Sequence, residues 1–144
     1  MTKLLGVIVL GLLWCSTSYA NIIMQDLIDA LVETKKPKSI EVANNLKSTG
    51  DNDKSYDLVI RKANLNIEDA KNIATAIKKI DQNKGPQLGT ISMSFNEDLK
   101  DEGVINLLNH IPLTTSVIAF VECGITDKAG QAIIDWAAKT NNLN

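Results

Sequence analysis

The densest set of groups that could do acid–base chemistry in this chain is the run Glu97-Asp98-Leu-Lys-Asp101-Glu102. Carboxyls held close together can divide the roles of proton donor and base, as a hydrolase requires. The same residues at a helix start have a simpler use, since negative charge there is favoured by the helix dipole. Cys123 could serve as a nucleophile only beside a base, and the sole histidine, His110, stands before Ile111-Pro112 where a helix should end. A capping or surface role therefore suits His110, and a buried structural thiol suits Cys123. Asp51-x-Asp53-x-Ser55-x-Asp57 has the alternate oxygens that open a calcium loop. The match then fails: Tyr56 occupies the sixth position, which needs Gly for the turn, and Lys62 the twelfth, which needs a bidentate Glu. With no phosphate loop and no Cys/His ligand set either, neither a metal nor a cofactor is expected.

The elements that must carry these residues repeat. Three stretches align: Leu58-Val-Ile60-Arg-Lys-Ala63-Asn-Leu65, Ile91-Ser-Met93-Ser-Phe-Asn96-Glu-Asp-Leu99 and Ile118-Ala-Phe120-Val-Glu-Cys123-Gly-Ile125. Each is followed by an acidic turn (Glu68-Asp69, Asp101-Glu102, Asp127) and then by apolar residues at steps of three and four. These helical stripes are Ile67, Ala70, Ile73, Ala74, Ile77 and Ile80; Val104, Leu107, Leu108 and Ile111; and Ala129, Ile133, Trp136 and Ala137. Alternation along the strands sends Leu58, Ile60, Ile91, Met93, Ile118 and Phe120 towards the helices. Val59, Arg61, Ser92, Ser94, Ala119 and Val121 then point the other way. A strand, a returning helix and a further strand make a parallel sheet. Asn96 and Cys123 stand where the chain leaves a strand, with groups able to bond the unpaired backbone of the turn.

The anchor positions Ala63, Asn96 and Cys123 are 33 and 27 residues apart. This pattern resembles the leucine-rich repeats of the ribonuclease-inhibitor type, whose Leu-x-Leu-x-x-Asn/Cys-x-Leu motif leads into Asp-x-Gly and a helix. Cys123-Gly-Ile-Thr-Asp-Lys-Ala-Gly-Gln-Ala-Ile133 keeps the family spacing. The second copy has an extra residue before Leu99, and the first carries Ala63 in the Asn/Cys slot and an extra residue before Asp69. The resemblance spans about Asp57 to Lys139. It implies an α/β fold, a short solenoid with parallel strands and helices on one side. An ordinary α/β domain of three strand–helix pairs is the alternative.

End repeats must hide apolar faces from water. Ile23, Leu27, Ala30 and Leu31 form a helical stripe ended by Pro37, so residues 21–56 are read as a helical cap and loop, and 57–144 as three strand–helix units. Ser39 to Lys47 fits a degenerate repeat strand or a short helix with Ser39 as N-cap; the helix is preferred.

Before the cap, Met1-Thr2-Lys3 is followed by an apolar stretch from Leu4 to Trp14 and by Ser18-Tyr-Ala20. This is the pattern of a cleaved signal peptide over residues 1–20, too short for a membrane span of about 20 apolar residues. Cys15 offers lipidation as an alternative, in a poor context because Trp14 stands where a small residue is wanted. The chain is thus expected to be exported, to the periplasm or the outside, with Cys123 left as a single thiol that cannot form an internal disulfide. A chain of 144 residues suits one globular unit, and a net charge of −2 with an isoelectric point near 5.3 speaks against a nucleic-acid partner.

An exported solenoid without catalytic groups is expected to bind another protein through its regular open face. Asp57, Arg61 and Lys62 from the first strand, Ser92, Ser94 and Phe95 from the second, and Val121 and Glu122 from the third would form that patch. The alternatives are a small hydrolase using Glu97, Asp98, Asp101 and Glu102, and a lipid-anchored envelope protein.

Overall fold

Helical periodicity is realised first in α1 (Ile22–Glu33) and α2 (Pro37–Leu46), which precede every strand in a computed structural model that describes residues 22–48 and 53–140. Residues 1–20, expected from the sequence to be a cleaved signal peptide, and Cys15 among them lie outside the described residues. Leu27, Ile28 and Leu31 of α1 are buried, and Thr34 closes the helix by donating its hydroxyl to the Leu31 carbonyl. Pro37 then opens α2 at its first turn, where a fixed φ is preorganised and the missing N–H is no loss. Residues 39–46 are therefore helical, but Ser39 is not the N-cap. The helix begins two residues earlier, and Ser39 is buried in it with a hydroxyl that has no hydrogen-bond partner.

From there strand and helix alternate: β1 (Ser55–Val59), α3 (Ile67–Gln82), β2 (Gln87–Ser92), a 3-10 turn (Glu97–Leu99), α4 (Lys100–Leu108), β3 (Val117–Ala119) and α5 (Asp127–Lys139). β1 starts at Ser55, inside the segment read from the sequence as loop. The strands form one parallel sheet in the order β1-β2-β3. Leu58 is the register partner of Ile91, and Ile91 of Ile118. Residues aligned by their place in the sequence pattern are thus neighbours in space. One irregularity interrupts β1–β2, where the register passes from Tyr56–Leu88 to Asp57–Thr90 and leaves Gly89 unmatched. A Cβ at Gly89 would lie 2.9 Å from Asp57 Oδ1, so a larger residue at this bulge would displace the exposed Asp57 carboxylate.

One face of this sheet is closed by the core. Leu58, Ile60, Ile91, Met93 and Phe120 are buried with Ile73, Ile77 and Ile80 of α3, Val104 and Leu107 of α4, and Trp136 of α5, while Ile118 is half-buried. The helices pack in chain order, α1 on α3, α3 on α4 and α4 on α5, with α2 against α1 and β1. The molecule is a mixed α/β fold whose small parallel sheet leaves its other face open. No helix among the described residues is long and apolar enough to cross a membrane.

Candidate interaction surface

The three strands hand over to their loops in the same way. Lys62, Phe95 and Glu122 all adopt left-handed backbone conformations, with φ of 54°, 65° and 51°. Each directly precedes an anchor position, Ala63, Asn96 or Cys123, and each anchor is buried. A left-handed turn of a non-glycine residue is unfavourable by itself. The bonds beneath it hold it in place: Asn96 Oδ1 accepts from the N–H groups of Ala63 (2.9 Å) and Leu65 (3.1 Å), and Asn96 Nδ2 donates to the carbonyls of Ile60 (2.8 Å) and Met93 (2.7 Å). Cys123 Sγ donates to the Met93 carbonyl at 3.2 Å. Each polar anchor thus reaches back to the backbone of the preceding unit, and the alanine at the first anchor is served by the asparagine of the second. Burial pushes the Cys123 thiol above its ordinary pKa, the opposite of what a thiolate nucleophile requires.

These turns orient the open face. Asp57, Val59 and Arg61 are exposed along the first strand, Thr90 and Ser92 half-exposed along the second, and Val117 and Val121 exposed along the third, with Ala119 half-exposed between them. At the exit end Phe95 is half-buried, with Arg61 Cζ 5.1 Å and Lys62 Nζ 5.0 Å from the centre of its ring. Of the patch expected from the sequence, Asp57, Arg61, Lys62, Ser92, Phe95, Val121 and Glu122 are exposed or half-exposed. Ser94 is the correction. It is 2% exposed, its Oγ accepting the Val121 N–H and extending the β2–β3 ladder where the strands part. Val59 at 45% and Val117 at 50% exposure belong to the face and were missing from the expected patch. Val117 could have been found by continuing the alternation of Ala119 and Val121 back by two residues.

The carboxylates serve the joints between units. Asp101 accepts from Thr126 N (2.8 Å) and Thr126 Oγ1 (2.6 Å) and, more distantly, from Ala129 N (3.3 Å), so it caps α5, the neighbouring helix. The Thr126 hydroxyl and amide hold its carboxyl below the usual carboxylate range. Glu102 pairs with Lys71 of α3 at 2.7 Å, and that bond lowers its pKa as well. A catalytic acid needs the opposite shift. Glu97 and Asp98 are exposed and border a depression with Lys100, Glu122 and Gly124. His110 bonds the Asn106 carbonyl through Nδ1 at 2.8 Å, and so donates to the end of α4. No group of three or more His, Cys, Asp or Glu able to hold a metal ion occurs among the described residues. Comparison with protein-family models, with curated proteins and with solved structures finds no match for this chain.

Proposed function

We propose that the chain is an exported, non-enzymatic protein-recognition module built on three leucine-rich-repeat-like units, with α1 and α2 as the N-terminal cap of a short solenoid. Three features support the repeat reading: the shared left-handed exit of the strands, the backward-reaching bonds of Asn96 and Cys123, and helices stacked in chain order. The observation that carries the function is the open sheet face. Exposed valines lie on it beside an aromatic ring flanked by an arginine and a lysine, a composition that suits protein contact. The Glu97–Glu102 cluster supports a hydrolase less well, because Asp101 and Glu102 are ionised and committed to α5 and α3.

The test is capture of a partner from the native compartment, using the exported chain as bait. Phe95→Ala and Arg61→Ala should each weaken binding of that partner by more than about 1 kcal/mol without a comparable loss of stability. Substitution of exposed Lys78 on α3 should leave binding unchanged. Normal binding by both face variants, with loss in Lys78→Glu, would move the recognition surface to the helices.

A further inference from the structure

The open face is polar from side to side at its exit end. On the β1 side stand Arg61 and Lys62, both against Phe95, and neither makes an ion pair with a described carboxylate. On the β3 side stand Glu122 and, from the turn after β2, Glu97 and Asp98. These border one depression, where Lys100 is the one cation among the described lining residues. The excess is two positive charges on one side and two negative on the other. The strands carrying the two sides are two strand spacings apart, roughly 10 Å, and no ion pair joins the two sides among the described residues. Between and below them lie the exposed apolar side chains Val59, Val117 and Val121.

From this arrangement we infer that the open face pairs with the same face of a second copy of the chain. A two-fold axis parallel to the strands, set between two facing sheets, lays β1 of one copy over β3 of the other with both exit ends together. Arg61 and Lys62 of each copy then meet Glu122, Glu97 and Asp98 of the other, twice per dimer, and the valines are covered between them. An axis across the strands would instead put β1 over β1, with like-charged ends apart and no charge contact. An isologous contact requires a patch complementary to itself under one rotation, and the charge distribution here meets that requirement for the first axis alone. Three short strands make a small contact, at or below about 1,200 Å² in total, so the dimer is weak and reversible. This inference rests on the open face being the recognition surface and names its partner.

Sedimentation of the exported chain over a concentration series tests it. The weight-average mass should rise from monomer to dimer with concentration at low salt. The midpoint should move to at least tenfold higher concentration in about 0.5 M salt, where charge contacts at the rim are screened. The variants R61E/K62E and E97K/E122K should each stay monomeric, because like charges then face each other at both contacts. Mixed together, the two variants should form a one-to-one heterodimer, since one presents acid at both exits and the other base. Circular dichroism melts matching the parent chain separate a lost contact from a lost fold. A parent chain that stays monomeric up to about 1 mM overturns the inference. So does a dimer whose midpoint ignores the charge reversals, or variants that fail to pair when mixed. If the chain is monomeric while Phe95→Ala still abolishes capture of another protein, the self-pairing fails and the open-face reading stands.

Discussion

Asn96 does more for this fold than its size suggests. Its amide meets four buried backbone groups in two successive units, Ala63 N, Leu65 N, Ile60 O and Met93 O. Replacement by Ala would leave Ala63 N, Leu65 N and Ile60 O without their side-chain partner away from water and Met93 O to the Cys123 thiol alone, and each unpaired group costs about 1–3 kcal/mol. Asn96→Ala should therefore lower the free energy of unfolding by at least about 3 kcal/mol, read from urea denaturation; a loss below about 1 kcal/mol would mean that water or the backbone replaces these bonds. The sequence marked Asn96 and Cys123 as residues that bond the strand exits. It did not show the direction of those bonds, because a side chain reaching back across 33 residues is decided by the register of neighbouring strands. Phe95 was likewise marked, with Arg61 beside it; the second cation, Lys62, comes from the same segment just after β1, and the pairing of β1 with β2 brings both to the ring.

Joints between elements depend on a few polar contacts and on one glycine. Asp101, at the start of α4, caps α5 through Thr126. Its folded-state pKa is depressed below the ordinary 3.8. The stability it contributes is therefore present above pH 3.8 and is lost as pH falls through the lower folded-state value. A melting-temperature series from pH 7 to pH 2 should fall less steeply below pH 4 in Asp101→Asn than in the parent chain, and equal slopes would show that the cap is not maintained in solution. Gly124 is the glycine. It has φ of 65°, and a Cβ there would collide with the Glu97 carbonyl oxygen. Gly124→Ala should destabilise by more than about 1 kcal/mol. Gly130→Ala should stabilise by about 0.5–1 kcal/mol, because Gly130 lies within α5 and its added Cβ would meet nothing within 4 Å. Thermal melts of the pair provide the check, and a reversed order would show that the Gly124 turn relaxes. The helix starts were only partly legible. Asn66 and Asp69 form a capping box at the head of α3, whereas Asp101 stands at the start of one helix and serves the next.

At the scale of the whole molecule one core joins the five helices and the sheet of the described residues. Leu107 and Phe120 sit in it from adjacent units, at 0% and 6% exposure. Truncation of either to Ala should cost about 2–5 kcal/mol. Because both share one core, each variant should still unfold in one transition by fluorescence and by circular dichroism. A second transition in either would show that the units melt separately. The sequence by itself determined the mixed α/β class, the three strand–helix units, their alignment and the apolar stripes. Those follow from local periodicity, which any solvent-excluded face imposes on a helix or a strand. It left residues 39–46 open between strand and helix, since apolar residues at Ile40, Val42, Ala43 and Leu46 satisfy either spacing. The presence of α1 to pack against and of Pro37 to begin the helix resolved that stretch. The tertiary structure alone decided that Ser94 is closed off and that Asp101 and Glu102 face neighbouring helices. Exposure and pairing of this kind depend on what lies across a strand spacing or a helix contact, and sequence order does not record those distances.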